Sequence, residues 1–147
     1  MRNIKTLKLV QSALLAALCL LLTRVVTIPA PTGYVNLGDC AVLLSAWMLG
    51  PIWGGMAAGI GTMLADVLSG YASYAPATFL IKFAMAVIAA LIFRTLEHRQ
   101  RLAAHIVGAV SAEVLMIAGY YIFESVCLGV GAAATASVPA NMVQGVA

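Results

Sequence analysis

Residues 33–68 read GYVNLGDCAVLLSAWMLGPIWGGMAAGIGTMLADVL, and they hold a conflict that the rest of the chain has to resolve. A polar, glycine-bearing stretch delivers Asn36 and Asp39 straight into an apolar run. That run breaks at Gly50-Pro51, a strong stop and restart for a helix. The first apolar piece, 38–49, has about a dozen residues and spans roughly 18 Å at 1.5 Å per residue. A bilayer's hydrocarbon core is ~30 Å thick. The end of this helix next to Asp39 therefore lies below the membrane surface, and the preceding loop dips inward. Such a loop is tolerated only where protein or a watery cavity surrounds it. Asn36 and Asp39 are expected to line that cavity.

The same character runs through all 147 residues, of which 63% are hydrophobic and 9% charged. Soluble domains carry roughly 25% charged residues, so the composition excludes an ordinary water-soluble fold. No sustained alternation of the kind a membrane barrel needs is present. The expectation is an all-α membrane protein, a six-transmembrane-helix bundle with a short helix 2 and an incomplete sixth helix. One integral membrane domain, 1–147, is expected to have helices near 7–28, 38–49, 51–68, 77–93, 102–124 and 137–147. Pro29 and Pro31 stop the first, and GYVNLGD is read as a polar loop. LGVGAAATA is read as a small-residue linker, with Ser137 and Pro139 opening the last helix. That last segment ends after about eleven residues, too short to cross, and the sequence is expected to be a fragment. The basic-then-apolar start resembles a secretion signal, but no small-residue cleavage site closes it and it reads as a retained helix.

Of the eight basic residues, six (Arg2, Lys5, Lys8, Arg94, Arg99 and Arg101) fall on one side if the helices alternate. That side is expected to be cytoplasmic, with the N-terminus inside a prokaryotic cell membrane. All five tyrosines then fall at the outer face, and Trp47 and Trp53 near the inner one. Arg24 is expected to snorkel to the interface. The three cysteines lie far apart and the two histidines have no ligand spacing, so neither a disulfide framework, a metal site nor a cofactor is expected.

Charges inside the spans mark sites by default. Lys82 follows Thr78 by one turn in helix 4, and Glu113 lies mid-helix 5. At 100° per residue Glu113, Tyr120 and Glu124 form one polar stripe, while Asn141 and Gln144 share a face of the sixth segment. With Asn36, Asp39 and the loop Tyr74, these groups are the candidate substrate-binding residues, the tyrosines being suited to stacking on a ring. Small residues at four-residue spacing, Ala13 with Ala17, Gly55 with Gly59, Gly61 with Ala65, and Ala104 with Gly108 and Ala112, suit close helix packing in lipid. The first pair is open to a partner protein instead.

GYVNLGD, followed by GPIWGGMAAGIGTMLADVLSGYASYAPATFLIK (50–82), resembles the substrate-capture (S) components of energy-coupling factor (ECF) vitamin transporters, most of all their riboflavin-type branch. The likeness covers nearly the whole chain and rests on NLGD, LADxLSGY and TFLIK in that order. It implies a non-enzymatic subunit of an ABC importer that binds a B-group vitamin or precursor, riboflavin-like or pyridoxine/hydroxymethylpyrimidine-like, from outside. It also implies a transmembrane scaffold subunit and two cytoplasmic ATPases as partners, with Ala13 and Ala17 matching the scaffold-docking face. No GxxxxGK[ST] phosphate loop is present, so ATP-driven uptake needs such partners; nucleic acid is not among them. The alternative is an intramembrane aspartyl hydrolase, in which Asp39 and Asp66 share a proton and NLGD echoes a GxGD element.

Overall fold

The computed structural model describes residues 4–30 and 33–146. Among them are six α-helices: α1 (Ile4–Val25), α2 (Gly38–Leu49), α3 (Pro51–Leu68), α4 (Ala75–Leu96), α5 (Arg101–Ile122) and α6 (Val138–Val146). Four segments are long and apolar enough to cross a membrane: α1, α3, α4 and the stretch Arg101–Cys127. The helical membrane fold read from composition is the fold observed.

Three segments differ from the expected course. α1 ends at Val25, and Thr27–Ala30 forms a strand, β1, antiparallel to β2 (Gly33–Asn36), with Thr27 opposite Asn36 and Ile28 opposite Val35. GYVN is thus a hairpin arm where a loop was expected. The chemistry was present in the sequence: Val25, Val26, Thr27 and Ile28 are all β-branched, which suits extended backbone. Ile28 also precedes Pro29, which disfavours the helical region for it.

At the far end of α5 the chain widens into a π-helical turn, Phe123–Cys127, closed by Leu128 N–H to Phe123 C=O at 3.1 Å. The stretch expected to be a linker forms a 3₁₀ helix, Gly131–Ala136. Between α2 and α3, Gly50 takes φ +81°, a left-handed conformation that suits glycine, and Pro51 starts the next helix without needing an N–H partner.

The bundle packs through small residues. Ala41, Ala46, Ala58, Ala86 and Ala89 are buried with Val42, Met85 and Met116 at its centre. Close approach is most constrained at Gly61: a Cβ there would run into the Ala16 carbonyl oxygen and come within 2.8 Å of Cys19 Cβ on α1. Gly108 plays a similar part between α5 and α4, where a Cβ would sit 3.1 Å from the Ala89 carbonyl oxygen. With no hydrophobic driving force between helices in lipid, this closeness is what yields packing energy. Gly61→Val is expected to part α1 from α3 and to cost about 1–3 kcal/mol, read as a lower melting temperature of the purified chain in detergent. An unchanged melting temperature would show that the two helices are not packed backbone to backbone.

Candidate ligand-binding cavity

The hairpin, the α3–α4 connection and the α5–α6 connection gather at one end of the bundle, and a cavity of about 70 Å³ opens among them. Its floor is an ion pair. Lys82 of α4 donates to Asp39 Oδ1 in the first turn of α2, and both side chains are almost wholly buried, at 4% and 6% exposure. The carboxylate gains from its place at a helix N-terminus. Its other oxygen, Oδ2, accepts from Gln144 Nε2 of α6 at 2.7 Å. Gln144 Oε1 in turn accepts from the backbone N–H and the side-chain amide of Asn36, at 3.2 and 3.1 Å. Asn36 Oδ1 accepts from Gly38 N–H at 2.8 Å, at the start of α2. One continuous network therefore ties hairpin, α2, α4 and α6 together.

Hydroxyl groups carry the polar lining upward. Thr78 donates to Asp66 Oδ2 at 2.5 Å and lies 3.0 Å from the Tyr120 hydroxyl, whose ring centroid is 5.6 Å from the Lys82 ammonium. Glu124 accepts from Tyr74 at 3.3 Å and from Ser137 at 2.5 Å. Burial first, and then the Glu124 carboxylate, raise the Tyr74 phenol above its ordinary value, so it stays a donor. The π turn is what presents Glu124 here; such turns are frequent at functional positions.

The cavity brings together Asn36, Tyr74, Thr78 and Lys82 with Tyr120, Glu124, Asn141 and Gln144. Asp39 lies directly beneath, through its bonds to Lys82 and Gln144. Glu113 is the exception and corrects the single-stripe reading. It lies in a separate groove with Leu43, Ile117, Met142 and Gly145, and its Oε2 has no hydrogen-bond partner among the described residues. Angle alone had grouped it with Tyr120, but seven residues separate the two along the axis, roughly 10 Å. At the intervening depth Met116 fills the core.

The sequence reading did not name Thr23, Thr62 and Ser137 as lining residues, and Asp66, named there only as Asp39's partner in the hydrolase alternative, also lines the cavity. A helical wheel of α3 anchored on Gly61 would have turned Thr62 and Asp66 inward together, since residues four apart share a face. Arg24 reaches Ser69 at 3.2 Å on the exposed surface. The two acids do not form a proton-sharing pair: Asp39 has both oxygens engaged, by Lys82 and Gln144, and Asp66 bonds Thr78. Among the described residues no cluster of acidic, histidine or cysteine side chains could hold a metal.

A bundle of apolar spanning helices that encloses a polar cavity at one end is a membrane-embedded ligand-binding protein. The sequence matches the family of ECF-type riboflavin transporter S components over residues 3–147, and the chain belongs to that family. An uncharacterized protein from the gap 3'region of Pyrococcus woesei is 37% identical over 108 residues, 74% of this chain and 70% of that protein. A solved S component of a bacterial ECF transporter shares the fold, with a TM-score of 0.73 over 97% of this chain and 88% of that one, at 19% identity. The chain is accordingly a substrate-binding membrane subunit of an ECF transporter, and its family serves vitamin uptake.

Breaking a buried ion pair from one side strands the other charge and costs about 3–5 kcal/mol. Lys82→Met and Asp39→Asn are each expected to lower the unfolding midpoint in detergent markedly, and the double variant less than the two added together. Additive losses would show that the two charges do not depend on each other.

Proposed function

We propose that this subunit captures a B-group vitamin or vitamin precursor at the cavity above Lys82 and Asp39, from the extracellular side, for ATP-driven import by partner subunits. The observation that carries this reading is the cavity itself: eight candidate residues from the hairpin, the α3–α4 connection, α4, α5, the π turn and α6 converge on it. Rings of Tyr74 and Tyr120 offer stacking faces, and Asn141, with the second N–H of the Gln144 amide, offers hydrogen bonds to ring heteroatoms. Pockets for ligands of this size occupy about 300–1,000 Å³. Capture therefore includes an outward movement of the hairpin or α6, the two elements whose hold on the floor passes through Gln144.

The basic residues support the direction. Lys5 and Lys8 near the start of α1, Arg94 in the last turn of α4 and Arg101 at the start of α5 belong to the end opposite the cavity, and basic ends stay cytoplasmic. The transmembrane scaffold and two cytoplasmic ATPases supply the energy. Their docking face is the apolar groove between α1 and α3, where Ala13 and Ala17 are exposed beside Ile52, Met56 and Ile60.

Equilibrium titration of the purified chain with B-group compounds is expected to find at least one that binds in the micromolar range or tighter, about −8 kcal/mol. Failure of every such compound to bind would overturn the capture role. Ala13→Trp and Ala17→Trp are expected to abolish uptake in cells carrying the whole transporter while leaving ligand affinity within about twofold. Loss of affinity in these variants would instead assign the groove to internal packing.

A further inference from the structure

We infer that the ligand of this cavity is a small heteroaromatic cation, or an amino-heterocycle that binds protonated, in preference to a neutral flavin. The inference rests on the capture role proposed above and specifies its substrate class.

Charge count comes first. Among the described residues the cavity is lined by one cation, Lys82, and two acids, Asp66 and Glu124, with Asp39 beneath. Lys82 is already committed to Asp39. Glu124, 4% exposed, accepts from the neutral hydroxyls of Tyr74 and Ser137 and has no salt bridge among the described residues. Hydroxyl donors satisfy the carboxylate's lone pairs but leave its charge uncompensated, and a buried charge is costly unless paired. A positive ligand placed against Glu124 supplies that compensation. A neutral one does not, and an anionic one adds repulsion.

A second observation, independent of the acids, also points to a ligand. Thr23 of α1 lines the cavity, is 4% exposed, and its hydroxyl has no hydrogen-bond partner among the described residues. Buried hydroxyls are nearly always satisfied, so this one is left for a group that enters the cavity. Thr23 of α1 and Glu124 of the π turn line the same cavity, which lets one ligand be gripped through a polar substituent and a positive ring edge. The phenol ring of Tyr120 provides a negative π face of the kind that attracts cations. Size favours the same class: at about 70 Å³ the cavity needs less opening for one or two small rings than for a tricyclic flavin.

The test is calorimetric titration of the full chain in detergent with four probes: thiamine and pyridoxamine as cations, riboflavin as a neutral flavin and flavin mononucleotide as an anion. At least one cation is expected to bind about tenfold or more tightly than either flavin, the scale of one charge-assisted hydrogen bond. Glu124→Gln keeps shape and hydrogen bonding but removes the charge, and is expected to weaken that cation by about tenfold. Thr23→Val is expected to weaken it a fewfold and to leave the preference for cation over flavin intact. Riboflavin binding more tightly than both cations would overturn this inference while leaving vitamin capture standing. Binding of none of the four overturns it, and a wider failure across B-group compounds takes the capture role with it. A cation affinity indifferent to Glu124→Gln in a variant that melts like the parent would also overturn it.

Discussion

Two opposite charges buried side by side, Lys82 and Asp39, set the conditions for everything at the hairpin end of this bundle. Removing either ion from water costs several kcal/mol, and their attraction repays this only if the remaining donors and acceptors are also met. The structure meets them with Gln144, which spends its amide on Asp39 and its carbonyl on Asn36. The consequence is geometric. A hairpin arm, a half-length helix, a spanning helix and α6 are all registered against one another by a single connected set of polar atoms. The shortness of α2 has its reason here: Asp39 must begin a helix at the depth where Lys82 ends its reach.

That polar floor depends on the rest of the bundle being thin-walled. Gly61 lets α1 lie on α3 and Gly108 lets α5 lie on α4, while alanines fill the centre. With small side chains between the helices, the packed half of the molecule is narrow, and the polar cavity opens at the end where the backbone departs from regular helix. The departures are the hairpin, the π turn and the 3₁₀ segment, and each contributes a cavity residue: Asn36, Glu124 and, just past the last, Ser137. At the cavity itself Asn36, Glu124 and Ser137 are buried and hydrogen-bonded, the condition under which irregular backbone is tolerated in a membrane protein.

Long-range character was legible in the sequence because it follows from hydropathy and from a few punctuating residues. Gly50-Pro51 marked the α2–α3 corner. The family resemblance on NLGD, LADxLSGY and TFLIK agrees with the match found over residues 3–147. What the sequence hid was local or depended on depth. The hairpin was masked because four β-branched residues sat at the tail of a long helical pattern. Glu113 was misplaced because a helical wheel projects away the axial coordinate. Ser137 looked like a helix cap, and its bond to Glu124 depends on a π turn that no side-chain pattern announces.

The central claim is that ligand enters among the hairpin, α4, the π turn and α6, and nowhere else. Hydrogen–deuterium exchange of the full chain in detergent, with and without a B-group compound shown by titration to bind, tests it most directly. Slowed exchange is predicted in 33–39, 71–78 and 123–144, the segments whose backbone opens toward the cavity, with residues 4–18 of α1 and the first half of α3 unaffected. Protection confined to the α1–α3 groove, or to the groove beside Glu113, would contradict the account.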